Sequence, residues 1–210
     1  MRNLIIVIGP PGSGKTLASN LITQKRGATK ISTGDILRKM VNDKELSEEV
    51  SMQISQGDLI CDDIVNAIVE KELSIATADI VLDGYPRNFS QFVNLQQIVG
   101  KSFNICCVFM KTPSDLILKR INQRVICSLC GKSHTTKEDS CTSCGGSLIK
   151  RPDDANILNR LNSYFKITEP VFTDALRYWC NKNITVEISI ESDLHQITKE
   201  VETQLKQLLT

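Results

Sequence analysis

The chain alternates short, continuous apolar runs with longer stretches whose apolar positions recur at helical spacing. A short apolar run between turn signals is typical of a strand that is buried on both faces of a parallel sheet. The runs that predict strands are residues 4–9, 79–84, 103–110 and 183–190, with a weaker one at 28–32. A helical pattern begins near Leu17, and others cover 34–41, 46–56, 62–73, 89–99, 113–122, 156–179 and 192–208. Strands that alternate with helices predict an α/β fold, a parallel sheet built by right-handed crossovers and flanked by helices.

Two segments interrupt this alternation. Residues 32–61, the first insertion, place two helical patterns between predicted strands without adding a strand of their own. Residues 123–155, the cysteine segment, have little apolar content and several turn-forming residues. We expect both segments to leave the edge of one sheet, because 210 residues suit a single domain. The predicted core is then residues 1–31, 62–122 and 156–210.

The overall charge is close to neutral, at +1, with 23% charged and 41% hydrophobic residues. Binding to nucleic acid or to an anionic membrane through general electrostatics needs a basic surplus, so neither partner is expected. The apolar run after Met1 is too short for a signal peptide or a membrane span. We therefore expect a cytoplasmic protein.

The stretch GPPGSGKT, residues 9–16, matches the phosphate-binding pattern G-x-x-x-x-G-K-[ST]. It follows a predicted strand and opens a helix, which is the context that gives the pattern its meaning. Glycines let backbone N–H groups converge on phosphate oxygens, and the helix N-terminus adds partial positive charge. Lys15 is placed to bridge the terminal phosphates, and Thr16 to reach the magnesium shell. The pattern predicts a P-loop fold that binds a nucleoside triphosphate.

A second candidate site begins with DGYPRN, residues 83–88, at the end of a predicted strand. Ligand-facing groups of open α/β sheets lie at the carboxyl ends of strands. A carboxylate there, Asp83, suits the orientation of magnesium-bound water. The Gly-Tyr-Pro turn is expected to point Arg87 into the same crevice.

The cysteine segment contains two Cys-x-x-Cys pairs, Cys127 with Cys130 and Cys141 with Cys144, each followed by glycine. Four thiolates at this spacing suit a tetrahedral structural zinc site without an open position for catalysis. Two disulfides and a redox role are the alternatives, and a reducing compartment favours the metal. His134 has the spacing of a possible extra ligand.

Five stretches together resemble the nucleoside monophosphate kinases, and most closely the adenylate kinase family with a zinc-containing lid. They are GPPGSGKT, ISTGDILR, LDGYPRNFSQ, LKRINQR and KRPDDANILNRL, in the family's order and rough spacing. The resemblance runs from residue 1 to about residue 190, and the combination is specific. It implies a P-loop kinase core, an AMP-binding first insertion and a lid formed by the cysteine segment.

The resemblance also implies a role for individual residues. The implied ATP-binding residues are Gly12, Ser13, Gly14, Lys15, Thr16, Leu17, Arg120, Arg124, Ser133 and His134. The implied AMP-binding residues are Thr33, Arg38, Asp58, Leu59, Ile60, Gly84, Tyr85, Pro86, Arg87, Gln91, Arg151 and Arg160. The implied catalytic residues are Lys15, Arg87, Arg124, Arg151 and Arg160, and the magnesium shell is Thr16 with Asp83.

The activity that the resemblance implies is reversible phosphoryl transfer from ATP to AMP, giving two ADP, with Mg²⁺ as cofactor and zinc as structural metal. The implied enzyme is a monomer. Arginine suits such chemistry because its planar fork binds phosphate with two hydrogen bonds. Two alternatives remain: a kinase for GMP or for UMP and CMP, and a nucleotide-dependent zinc-ribbon protein that binds nucleic acid or a protein.

Three positions depart from the family pattern. Leu17 stands where the family has a hydroxyl residue that contacts phosphate. The stretch from Asp154 to Arg160 is two residues shorter than the family's, and Ser189–Ile190 replaces an Asp-Gly pair.

Asp153 and Asp154 follow Arg151 and are expected to pair with cations of the lid or the core.

Overall fold

A five-stranded parallel sheet forms the centre of the protein. The computed structural model describes residues 1–56, 60–135, 138–151, 154–188 and 194–209. The strands of this sheet are β1 (Arg2–Ile8), β2 (Thr29–Ser32), β3 (Ile80–Asp83), β4 (Phe103–Lys111) and β8 (Lys182–Glu187). Their order across the sheet is β2-β3-β1-β4-β8.

The central strands are apolar because both of their faces are covered. Residues 4–8 of β1 and all of β3 are buried, and Leu4 pairs with Ile80 on one side while Ile5 pairs with Cys106 on the other. Branched apolar side chains pack well on such a doubly covered sheet. The predicted parallel α/β fold is confirmed.

Helices cover the two faces of this sheet. Between β1 and β4 they are α1 (Lys15–Arg26), α2 (Thr33–Asn42), α3 (Glu48–Gln56), α4 (Asp62–Ile75) and α5 (Phe89–Val99). After β4 come α6 (Ser114–Gln123), α7 (Ile157–Ser163), α8 (Glu169–Val171), α9 (Arg177–Trp179), α10 (Leu194–Gln204) and α11 (Lys206–Leu209). One hydrophobic cluster joins the sheet to α1, α10 and α11. The other joins it to α4, α5 and the helical stretch 157–179. No helix within these described ranges is long and apolar enough to cross a membrane.

The stretch 157–179 is helical, as its periodicity predicts, but it is not a uniform α-helix. Two π-helical turns, Tyr164–Thr168 and Phe172–Leu176, alternate with α7, α8 and α9. Such wide turns often occur at functional sites, because they shift the face that a side chain presents.

The cysteine segment folds into a second, antiparallel sheet that the sequence pattern did not predict. Its strands are β5 (Arg124–Cys127), β6 (Ser133–Thr135) and β7 (Leu148–Ile149), with β5 in the middle. These strands are short, and their alternation is too brief to rise above loop composition.

The carboxyl ends of the central strands bring the two sequence motifs together. Asp83 pairs with Val7 of β1 on one side and with Ser32 of β2 on the other. The phosphate-binding stretch follows β1 directly, so its glycines and the Asp83 carboxylate lie at one edge of the sheet, where ligands of such folds bind.

Candidate active site

A cavity of about 290 Å³ opens at this edge of the sheet. The P-loop and the turn after β3 both contribute to its lining. Six arginines contribute to its lining: Arg38, Arg87, Arg120, Arg124, Arg151 and Arg160. The sequence-predicted residues Gly12, Gly14, Lys15, Thr16, Leu17, Asp83, Gly84, Pro86 and Ser133 also line it. A concave site this rich in arginine is suited to a ligand with several phosphates.

The P-loop adopts a conformation that requires glycine. Gly12 and Gly14 have φ of 81° and 92°, in the left-handed region. A Cβ on Gly12 would lie 3.0 Å from the Ile121 side chain, so substitution there is opposed both by strain and by packing. Gly14 caps α1 without a side-chain hydrogen bond, and the first turn of α1 carries no acidic residue. The first N–H groups of α1 and its positive dipole end are therefore available to an anion.

Lys15 folds back over the P-loop. Its Nζ donates hydrogen bonds to the carbonyl oxygens of Gly9, at 2.7 Å, and Pro10, at 2.8 Å. Burial lowers the pKa of Lys15 to about 7, although the Asp83 carboxylate raises it. Phosphate oxygens in the cavity would replace these carbonyls as acceptors and would favour the ammonium form.

Three of the arginines that line the cavity act electrostatically on Lys15. Arg87, Arg160 and Arg124 each lower the pKa of Lys15 by Coulombic repulsion, after the larger effect of burial. They come from the turn after β3, from α7 and from the start of β5. Positive charges from three separate elements thus lie near one another, an arrangement that anionic phosphates would stabilise.

Asp83 is buried, with 5% of its surface exposed. Within the described ranges, its Oδ2 has no hydrogen-bond partner, and the Lys30 ammonium lies 3.9 Å away. A buried carboxylate oxygen with unused hydrogen-bonding capacity normally serves a ligand, an ion or a water molecule. Magnesium prefers carboxylate and water oxygens, so Asp83 fits a place in the shell of Mg²⁺.

The turn after β3 is held by an internal network. Arg87 donates from Nε to the Gly84 carbonyl, at 2.8 Å, and from its backbone N to Gln91 Oε1, also at 2.8 Å. Thr33 Oγ1 donates to the same Gly84 carbonyl, at 3.2 Å. The Tyr85 hydroxyl donates to the Gln91 carbonyl, at 3.0 Å. These bonds fix the backbone that presents Arg87 to the cavity.

Asp154 orients two of the arginines that line the cavity. Its carboxylate pairs with both Nε and Nη2 of Arg124, the two-pronged geometry that guanidinium groups favour. Its Oδ1 also accepts a hydrogen bond from Arg160, at 3.4 Å. The expected pairing of Asp154 with cations is confirmed, whereas Asp153 lies outside the described residues.

Arg120 also lines the cavity. One of its terminal nitrogens, Nη2, is buried and has no hydrogen-bond partner within the described ranges. Burial lowers its pKa, and Glu200 of α10 raises it. An unpaired buried donor next to a cavity is available to a ligand that accepts hydrogen bonds.

The four cysteines of the segment come together in space. Their Sγ atoms all lie within 4.8 Å of one another, with Cys127 3.4 Å from Cys144 and Cys130 3.6 Å from Cys141. A tetrahedral zinc ion with bonds of about 2.3 Å separates its sulfur ligands by roughly 3.8 Å. The observed spacing is close to that value, so the four residues fit zinc.

The backbone around these cysteines also fits thiolate ligands. The N–H groups of Leu129 and Cys130 point to Cys127 Sγ, and Ser143 N lies 3.4 Å from Cys141 Sγ. The bond from the N–H of Cys130 lowers the pKa of Cys127. Burial raises the pKa of Cys141, but backbone hydrogen bonds outweigh it and bring that pKa to about 6. Thiolates stabilised in this way release their protons readily to a divalent cation.

His134 lies among the cysteines, outside the cavity lining. Its side chain is 3% exposed, with Nδ1 2.5 Å from Glu138 Oε2 and Nε2 3.2 Å from Cys141 Sγ. An imidazole in this position can hydrogen-bond to a metal ligand and fix its orientation. The contact of His134 with ATP stays a prediction.

Several other sequence-predicted residues lie behind the cavity wall. Ser13, Thr33, Ile60, Tyr85 and Gln91 are buried and do not line the cavity. Asp58 and Leu59, and the Ser189–Ile190 pair, fall outside the described residues.

Sequence reasoning did not identify Tyr164 and Thr168 as part of the cavity lining. Both follow Arg160 at intervals of four residues, which places all three on one helix face. This spacing could have indicated that Tyr164 and Thr168 face the cavity. The apolar residues around them instead favoured the interpretation that the stretch packs in the core. The Tyr164 hydroxyl is buried without a partner in the described part of the chain.

Comparison with known proteins agrees with this geometry. Residues 7–182 match the family model described as "Adenylate kinase". The adenylate kinase of Acetivibrio thermocellus is 34% identical, over 94% of this chain and 95% of that protein. Those of Pyrococcus horikoshii, at 32% identity over 94% and 93%, and Mycoplasmopsis pulmonis, at 33% over 98% and 99%, are also similar. The P-loop, the turn after β3 and the arginine-lined cavity accord with these matches, and the chain belongs to the adenylate kinase family.

Proposed function

We propose that the protein transfers the γ-phosphoryl group of ATP to AMP, reversibly and with Mg²⁺, to give two molecules of ADP. The observation that carries this proposal is the convergence of three arginines from separate elements on Lys15. Phosphoryl transfer spreads negative charge over the equatorial oxygens of the moving group, and its catalysis is mostly positioning and electrostatic stabilisation. The phosphate oxygen of AMP is itself the nucleophile, so no side-chain nucleophile is needed.

In this proposal the P-loop side of the cavity binds ATP. The N–H groups at the start of α1 hold the phosphates, while Lys15 leaves the carbonyls of Gly9 and Pro10 to bridge the terminal ones. Thr16 is exposed at the cavity and would reach the metal shell. Arg120 would lie against the adenine, where its unpaired Nη2 can serve the nucleotide.

The wall formed by the turn after β3 would bind AMP. Arg38 and Arg87 line this part of the cavity and would hold the AMP phosphate. Thr33 and Gln91 lie behind Gly84 and Arg87, where they fix the turn through hydrogen bonds. The first insertion would thus act as the AMP-binding unit.

The cysteine segment would act as a lid over the reacting phosphates. Arg124 lies at its start and Arg151 at its end, and both line the cavity. Closure over the site would exclude water, so that AMP rather than water accepts the phosphoryl group. Zinc held by the four cysteines would stabilise a segment that has few apolar contacts of its own.

Mg²⁺ bound with ATP neutralises phosphate charge, and Asp83 would orient its water shell. The proposed partners are ATP, AMP and ADP. A monomeric, cytoplasmic enzyme, as expected from the sequence, is part of the same proposal.

Substitution of Arg87 tests the proposal. Arg87→Ala removes a guanidinium from the reacting phosphates, so turnover should fall by about 10³-fold or more. Arg177→Ala is the matched control, because this exposed arginine stacks on Tyr178 and lies off the cavity lining. ADP formation from ATP and AMP is followed in a coupled assay, with circular dichroism to verify folding. Near-normal turnover in folded Arg87→Ala would refute the assignment.

A further inference from the structure

The ammonium group of Lys30 lies among three oxygen atoms at the edge of the sheet. Asn20 Oδ1 accepts a hydrogen bond from it at 2.9 Å. Asp35 Oδ2 lies 3.7 Å away and Asp83 Oδ2 lies 3.9 Å away. The Lys30 side chain is 19% exposed, so water screens these interactions only in part. The proposed reaction gives Lys30 no role.

The charges around Lys30 continue in both directions. Asp35, on α2, is also paired with Arg38, one turn further along the same helix. Arg38, Asp35, Lys30 and Asp83 therefore form a row of alternating charge, which we call the charge row. One end of the row lies at the proposed AMP phosphate, and the other lies at the proposed magnesium shell.

The distances in the charge row indicate a shared ammonium rather than a closed ion pair. A direct hydrogen bond between the ammonium and one carboxylate would bring that oxygen to about 2.8 Å from Nζ. Instead, Lys30 makes its short hydrogen bond to the neutral Asn20 and stays nearly equidistant from Asp35 and Asp83. Asp83 Oδ2 keeps its hydrogen-bonding capacity unused within the described ranges. If one carboxylate gains or loses another cation, the attraction between Lys30 and the other carboxylate therefore changes.

We propose that Lys30 is a positioning residue that couples AMP binding to the magnesium shell, an inference that rests on the proposed roles of Arg38 and Asp83. The AMP phosphate attracts Arg38 away from Asp35. Asp35, released from one cation, attracts Lys30 more strongly. Lys30 then interacts less with Asp83, whose Oδ2 becomes a better acceptor for water bound to Mg²⁺. By linkage, Mg²⁺ must strengthen AMP binding by the same factor.

The test is a calorimetric titration of Mg²⁺ into the enzyme saturated with an imido analogue of ATP that cannot transfer its phosphoryl group, with and without AMP. In the wild type, AMP should lower the half-saturating Mg²⁺ concentration by about threefold to tenfold, the lower range for coupling between sites. Lys30→Gln should lower that concentration without AMP and abolish the effect of AMP. Asp35→Asn should raise it without AMP, because Lys30 is left to Asp83 alone, and should also abolish the effect of AMP.

Two further variants control for charge and folding. Lys30→Arg keeps the positive charge and should retain the AMP effect. Lys25→Gln removes the same charge from an exposed pair between Lys25, in the last turn of α1, and Glu202. Its Mg²⁺ titrations should match those of the wild type. If Lys30 and Asp35 had a purely structural role, Lys30→Gln and Asp35→Asn would shift the half-saturating Mg²⁺ concentration in the same direction.

The proposal is overturned if AMP leaves the Mg²⁺ titration of the wild type unchanged, if Lys30→Gln keeps the AMP effect, or if Lys30→Gln and Asp35→Asn shift it in the same direction. Phosphoryl transfer by the wild type is measured in parallel. A wild type that transfers phosphate to AMP but shows one of these results retains the proposed function and loses only the coupling. A wild type that transfers none to AMP loses both.

Discussion

The low pKa of Lys15 predicts that ATP binding takes up a proton. Free enzyme has a Lys15 pKa of about 7, because removal of the side chain from water, together with the neighbouring arginines, outweighs the attraction of Asp83. At pH 8 about nine-tenths of Lys15 is therefore neutral, whereas phosphate oxygens bind the ammonium form. Binding should take up about 0.9 proton at pH 8 and about 0.1 at pH 6. Because the free-enzyme pKa is below the pKa in the complex, the contribution of Lys15 to ATP affinity falls as pH rises, by about tenfold between pH 6 and pH 8, or about 1.4 kcal/mol.

Isothermal titration calorimetry with Mg²⁺ and ATP in two buffers of different ionisation enthalpy measures this uptake. Measurements at pH 8 avoid the second ionisation of the phosphate itself, near pH 6. Lys15→Arg is the control, because its guanidinium stays charged and should take up no proton. An uptake below about 0.2 proton in the wild type, or an equal uptake in Lys15→Arg, would contradict a neutral Lys15 in the free enzyme.

Two other predictions concern the cysteine segment. Removal of its metal by a chelator should lower the melting temperature by roughly 6–12 °C for each 3 kcal/mol of folding free energy that the metal supplies. Cys127→Ser should have a similar effect, and the exposed Cys61→Ser should have none. An unchanged melting curve in a verified metal-free sample would exclude a structural metal. Asp154→Asn removes the carboxylate that pairs with Arg124, whose side chain is 18% exposed. The free energy of unfolding, measured with denaturant, should fall by about 2 kcal/mol, less than the roughly 3–5 kcal/mol for a fully buried pair. A loss below about 0.5 kcal/mol would show that the pair contributes little to stability.

The central sheet could be predicted because burial on both faces leaves continuous apolar runs such as residues 4–8. The P-loop could be predicted because its glycines are required by backbone geometry, as Gly12 at φ 81° illustrates. Both signals are local in the chain. Local composition and spacing are enough to find features of that kind.

Contacts between distant residues were harder to predict. Asp154 was expected to pair with a cation, but its partner Arg124 lies 30 residues earlier in the chain, at the start of β5. The strands of that sheet are held around the cysteine cluster rather than by a hydrophobic face, so they leave no periodic signal. The spacing of His134 marked it as a possible extra ligand, but its position beside Cys141 depends on how the cysteine pairs fold together. Such arrangements follow from tertiary structure and not from residue spacing.

The most direct test of the account is a panel of phosphate acceptors with purified enzyme, ATP and Mg²⁺. Products are separated by chromatography after incubation with AMP, GMP, CMP or UMP. The account predicts rapid transfer to AMP, with two ADP formed for each AMP consumed, and little transfer to the other three. Comparable or faster transfer to GMP, CMP or UMP, or no transfer to any acceptor, would contradict it.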